Sequence, residues 1–136
     1  MTIIRLLINL DVDDLERGVS FYTSALGLTL GRRFGGAGVE LLGAEAPIYL
    51  LAKAAGSEGA PGAPRSYARH WTPLHLDIVV ADLDAAIARA TAAGAVLESP
   101  AATTAWGRIA MLADPFGHGF CLIEFSDAGY DAIADV

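Results

Sequence analysis

A pattern that recurs 68 positions apart constrains this chain more than any other feature: Val12-Asp13-Asp14-Leu15 aligns on Val80-Ala81-Asp82-Leu83. An alternating apolar stretch leads into each copy, Leu6, Ile8, Leu10 and Val12 first, then Leu74, Leu76, Ile78 and Val80. A period of two is that of a strand with one buried face, and the first strand is read over Ile3–Val12. Beyond each copy the period lengthens. Leu15, Val19, Tyr22 and Leu26, and later Leu83, Ile87 and Ala90, recur at helical spacing. Asp13 or Asp14, and then Asp82, can accept hydrogen bonds from the free amides of a first helical turn. Gly27 and Gly94 suit the left-handed position at which a helix ends.

Short extended stretches follow each helix: Thr29–Phe34, Val39–Leu42 and Ile48–Lys53, then Val96–Glu98, Trp106–Ala113 and Gly119–Ser126. Each half therefore reads β-α-β-β-β. Neither half is large enough to bury both faces of its own sheet. The expected fold is α+β: two βαβββ modules forming a curved mixed β-sheet, with the helices on one face and a concave ligand cleft on the other. The expected boundaries within one domain, 1–136, are module 1 at 1–53, a linker at 54–72, module 2 at 73–126 and a tail at 127–136. The linker holds Gly56, Gly59, Pro61, Gly62 and Pro64 and shows neither period; loops this long act as connectors or lids. In the tail, Tyr130 and Ile133 could pack a short helix against the body.

Composition removes several classes of function. The formal charge is −7, nine Lys+Arg against sixteen Asp+Glu, with no basic cluster. A non-specific nucleic-acid binder needs such a cluster to displace counterions, and an anionic membrane surface needs it too. Mean hydropathy is +0.44, yet no apolar run approaches the ~20 residues that span a bilayer. The segment Met1 to Ile8 reads as the start of a strand, not a signal peptide. Cys121 is the one cysteine, so an intrachain disulfide and a multi-cysteine zinc site are both excluded. A cytoplasmic location is expected. Gly35, Gly36 and Gly38 lead into no helix, so they form no phosphate-binding loop.

Three segments carry a resemblance that covers essentially the whole chain: LDVDDLERGVSFYTSALGLTL, LHLDIVVADLDAAIARATAAGA and WGRIAMLADPFGHGFCLIEF. In order and spacing they are similar to the vicinal-oxygen-chelate superfamily of glyoxalase I, bleomycin-resistance-type binding proteins and extradiol dioxygenases. The resemblance implies the paired βαβββ fold and a homodimer, but not one reaction, because this fold serves several. In metal-dependent members four side chains meet on the concave face, one from the first and one from the last strand of each half. Those positions here are Leu7 and His75, then Tyr49 and Cys121. Leu7 has no donor atom, and tyrosine is an uncommon ligand for divalent metals. His75 and Cys121 could ligate, but two ligands fall short of the three of a catalytic zinc site. No metal and no cofactor is therefore expected, though an improvised site of His75, Asp77 and Cys121 stays open.

Asn9 and Asp77 share the faces of Leu7 and His75 by strand alternation. His75 is either an acid–base group oriented by Asp77 or a histidine hydrogen-bonded to its neighbours. Trp106 offers a ring to stack on a planar ligand, or rim packing. Arg108, two residues on, is placed on the same face, to meet an anionic group of the ligand or form a surface ion pair. Ile123 joins Leu7 and Tyr49 on the expected groove floor. Cys121 reads as a small buried apolar side chain rather than a nucleophile. Asp114-Pro115-Phe116-Gly117 reads as a tight turn, followed by an exposed His118.

Three functional readings follow. The first is a bleomycin-resistance-like protein that binds an aromatic or amphipathic metabolite or antibiotic without a classical metal site. The second is a metal-independent isomerase or lyase using His75 and Asp77. The third is a glyoxalase- or dioxygenase-like metalloenzyme with replaced ligands.

Overall fold

The computed structural model describes residues 2–135. Each of the two aspartates placed before a helix caps one. Asp14 accepts a hydrogen bond from the Arg17 amide ahead of α1 (Leu15–Leu26), and Asp82 from the Ala85 amide ahead of α2 (Leu83–Ala92). Gly27 ends α1 at φ 70°, the left-handed conformation that costs glycine least.

The chain divides into two units between Ala68 and Arg69. The first holds β1 (Ile8–Val12), α1, β2 (Thr29–Arg33), β3 (Gly38–Leu42), β4 (Ile48–Ala52) and a small hairpin, β5 (Glu58–Ala60) with β6 (Ala63–Pro64). Its four-stranded sheet runs β1-β4-β3-β2, with β1 parallel to β4 and the other pairs antiparallel. The second unit holds β7 (Leu76–Val79), α2, β8 (Val96–Thr104), β9 (Gly107–Ala113), β10 (Gly119–Phe125) and a 3-10 turn at Gly129–Ala132. Its sheet runs β7-β10-β9-β8, again with only the first pair parallel. The two βαβββ modules of the expected α+β fold are present, each with its own mixed sheet.

Each helix covers one face of its sheet. In the first unit, Gly18 of α1 lies against Val12 and Leu50, and the core holds Phe21, Val39, Leu41 and Ile48. In the second, the Glu124 side chain accepts the Leu83 amide of α2 at 2.9 Å, and Leu112, Leu122 and Ala90 are buried. Strand alternation then leaves Asn9, Glu40, Tyr49 and Leu51 on the helix-free face of the first sheet. Asp77, Met111, Cys121 and Ile123 lie on that of the second.

Three local readings change. Pairing of β1 starts at Ile8, and Ile3, Ile4 and Leu6 are exposed, because no strand lies beside them. The linker contains the β5–β6 hairpin, turned by Gly62 at φ 76°. β8 continues through Pro100 to Thr104. A strand at the end of the sheet order tolerates proline, which has no amide to donate.

Candidate functional site

The helix-free face of the second unit carries His75, Asp77, Cys121 and Ile123 among the residues that the sequence singled out. His75 lies just before β7 and Asp77 within it, and their Nε2 and Oδ1 atoms are 3.3 Å apart. β10 runs beside them, with Cys121 opposite Asp77. The ligand atoms of His75, Asp77 and Cys121 all lie within 4.8 Å of one another. Burial pushes the Cys121 thiol up to about 11, and the Asp77 carboxylate, to which the thiol donates, adds to the rise. This thiol is therefore held protonated and is a poor nucleophile. Trp71 stands over the edge of the group, its ring 5.0 Å from that of His75 and 55% of its surface exposed. Ile123 is fully covered and floors the face.

The helix-free face of the first unit is built differently. Tyr49 lies opposite Asn9 on β1 and opposite Glu40 on β3. The pairing of Tyr49 with Asn9 matches that of Cys121 with Asp77, so the repeat extends to the last strands. Leu7 precedes β1 and is half exposed. Glu40, buried between Val39 and Leu41, is the hub of this face. Its carboxylate accepts from the Arg32 amide at 3.2 Å, Arg32 Nε at 3.0 Å and Nη2 at 2.7 Å, and from the Tyr49 hydroxyl at 3.1 Å. Sequence reading passed over Arg32, Phe34 and Glu40. The available signal was an acid at a period-two position opposite two core residues.

The Arg32 hydrogen bonds hold the Glu40 carboxyl down at about 2, from an ordinary 4.5. A folded-state value below the unfolded one means stability that is fully present above pH 4.5 and lost as the pH falls toward 2. The difference in melting temperature between the wild type and Glu40→Gln is therefore expected to be largest near neutral pH. It should shrink steadily below pH 4.5, and thermal melts in a pH series check it; a constant difference would contradict the assignment.

Two residues stand elsewhere than expected. Arg108 does not share a face with a ligand-facing Trp106. It turns to the helix side and pairs with Asp84 of α2, Nη2 to Oδ1 at 2.9 Å, as the ion-pair reading has it. The period-two count fails because Trp106 precedes the strand and Gly107 takes φ 148°. Trp106 packs edge-on against Phe125 and Tyr130, with centroids 6.0 and 5.4 Å away. Tyr130 thus anchors the tail, whereas Ile133 stays exposed.

The linker is tied down at both ends. Arg65 Nε donates to Asp11 at 2.7 Å and the Tyr67 hydroxyl to the Lys53 carbonyl at 2.6 Å. In the second unit His70 donates its amide to the Gly117 carbonyl, and its ring nitrogen lies 3.1 Å from that of His118. His118 is accordingly half-buried, not exposed. Asp114 forms the expected turn, its carboxylate accepting the Phe116 and His118 amides.

Two of the four positions that hold metal in metal-dependent relatives offer no free donor here. Leu7 offers no donor, and the Tyr49 hydroxyl is already donated to Glu40. His75 and Cys121 do carry donor atoms, and with Asp77 they form a group that could hold a metal ion.

A family model described as a glyoxalase-like domain matches residues 7–123. The anthracycline biosynthesis protein DauV of Streptomyces sp. (strain C5) is 33% identical over 135 residues, 94% of this chain. DnrV of Streptomyces peucetius, also an anthracycline biosynthesis protein, is 34% identical over 131 residues, 93% of this chain. The chain spans 43% of the length of each. Among solved structures, TnmS3, an antibiotic binding protein from Streptomyces sp. CB03234, superposes with a TM-score of 0.65 at 27% identity. That match covers 93% of this chain and 99% of TnmS3.

Proposed function

The chain belongs to the glyoxalase-like domain family, and from that premise we propose that it binds a planar aromatic or amphipathic small molecule and requires no metal to do so. One observation carries the reading. The sheet faces keep aromatic and hydrogen-bonding groups, Tyr49, Trp71, His75 and Asp77, while Leu7 and Tyr49 supply no free metal donor. A binding protein needs surface and orientation, both of which these residues offer, but no electrophile. The likeness to an antibiotic binding protein and to two anthracycline biosynthesis proteins supports the same reading.

Trp71 is the ring available for stacking, and Trp106 serves packing. Ligand-dependent quenching of tryptophan fluorescence is expected to survive in Trp106→Phe and to vanish in Trp71→Phe; the opposite pattern would return the stacking role to Trp106. His75→Ala should weaken the ligand by roughly tenfold, the worth of one hydrogen bond and its ring contact. Stoichiometric metal in elemental analysis of the purified protein would replace this reading with the metalloenzyme one.

The 3.3 Å approach of His75 and Asp77 supports a second reading, an isomerase or lyase in which Asp77 orients the imidazole as acid–base group. Turnover of a bound ligand, abolished in His75→Ala and Asp77→Asn, would establish it. Exposed apolar side chains beside the edge strands β1 and β7, Ile3, Ile4, Leu6 and Leu74, support a homodimer. No helix among the described residues is long and apolar enough to cross a membrane. Cys121, buried and free, supports a cytoplasmic location.

A further inference from the structure

Building on the binding reading, we propose that Arg32, Phe34 and Tyr49 form a ligand subsite on the first unit, selective for neutral planar aromatics that carry a carbonyl or phenol oxygen. The Glu40 carboxylate is fully occupied inside the protein. It fixes the Arg32 guanidinium through two side-chain hydrogen bonds on its Nε–Nη2 edge. An exposed arginine is ordinarily mobile; this one is held in one orientation while 69% of its side chain stays exposed. Nη1, on the other edge, makes no hydrogen bond among the described residues and is left to donate.

The guanidinium lies over the ring of Phe34, and Tyr49 adjoins that ring. The Arg32 Cζ lies 5.5 Å from the centroid of Phe34, and Phe34 lies 6.2 Å from Tyr49 at 38°. Phe34 is 45% exposed, and the neighbouring Gly35 and Gly36 have nothing within 4 Å of where a side chain would start. The part of Phe34 left exposed is the surface offered to a flat molecule. The turn that carries the ring is itself fixed, Phe34 donating its amide to Gly38 and accepting that of Ala37. A donor and a ring fixed in advance lower the ordering cost of binding.

Charge selects the ligand. Glu40 balances the positive charge of Arg32, and the chain as a whole carries −7. An anion at Nη1 gains less than it would beside an unpaired arginine, and the net charge of the chain repels it at long range. A neutral carbonyl or phenol oxygen still gains the Nη1 hydrogen bond.

The test uses 1,4-dihydroxyanthraquinone as probe, followed by its visible absorbance, with anthraquinone-2-sulfonate as its anionic counterpart. Arg32→Gln and Phe34→Leu are each expected to weaken the neutral probe by about tenfold. Phe34→Leu leaves the Glu40 network intact, so it reports even where Arg32→Gln misfolds. Arg33→Gln is the control, because Arg33 turns away to pair with Glu16 of α1; it should bind as the wild type does. The sulfonate should bind the wild type more weakly than the neutral probe. Wild-type binding that is unchanged in Phe34→Leu would remove this subsite and leave the binding reading standing. Equal or tighter binding of the sulfonate would overturn the selectivity for neutral oxygen. No binding of either probe to the wild type would overturn both the subsite and the reading on which it rests.

Discussion

Gly107→Ala is expected to cost about 3 kcal/mol or more, among the largest effects of any single substitution in this chain. The added methyl would sit 2.2 Å from the carbonyl oxygen of Glu124 and 2.9 Å from Cα of Phe125. Both are backbone atoms, so no side chain can swing aside. The φ of 148° is itself a conformation that alanine rarely adopts. Neither strand is free to yield. Gly107 pairs with Phe125 at the end of the β9–β10 ladder, Thr104 donates to its carbonyl at 2.9 Å, and the Ser126 amide donates to Trp106 at 2.9 Å. Moving β10 here would also pull Glu124 from the Leu83 amide that it caps at the start of α2. In a domain of this size the melting temperature should fall by roughly 10 °C. Thermal denaturation followed by circular dichroism measures it, and a fall of only about 2 °C would show that the backbone relaxes at little cost.

That same glycine marks where sequence reasoning stopped. The repeat set out both modules because its signals are local: a period of two, an aspartate before a helix, a glycine after it. Asp14, Asp82 and Gly27 do what their chemistry allows wherever they occur. The face of Arg108 was not legible, since alternation can be counted only along unbroken strand, and the φ of Gly107 interrupts it. The Glu40 network was hidden for another reason. An acid between Val39 and Leu41 reads as the solvent side of a strand until Arg32 and Tyr49 are seen to close on it from both neighbouring strands. Pairing across strands is tertiary information. His75, Asp77 and Cys121 came together on one face because β7 and β10 are parallel neighbours, and the repeat already implied that arrangement. Trp71 falls in the linker, where no periodicity could place its ring beside His75.

Phe116→Ala is the second substitution expected to have a large effect, for a reason opposite to the first. Gly107 tolerates nothing larger, whereas Phe116 must not become smaller. Its side chain is 0% exposed although it sits in a four-residue turn. A turn residue buried to that degree is an anchor: it ties the Asp114–Gly117 corner to the core. Truncation removes the ring from an apolar site and leaves a cavity, which costs about 3–5 kcal/mol for phenylalanine. The Asp114 carboxylate still accepts the amides of Phe116 and His118, so the turn is expected to persist in a loosened form. Urea unfolding should therefore show a lower midpoint with an unchanged slope, and Phe116→Leu should recover part of the loss by refilling the site. The consequence travels along the chain. The Gly117 carbonyl receives the His70 amide, and the pairing of His70 with His118 holds the end of the linker in the second unit. Hydrogen exchange at the His70 amide should accelerate in Phe116→Ala by more than the global loss of stability accounts for. Exchange that rises only in step with global unfolding would mean that the linker end is held independently of the corner.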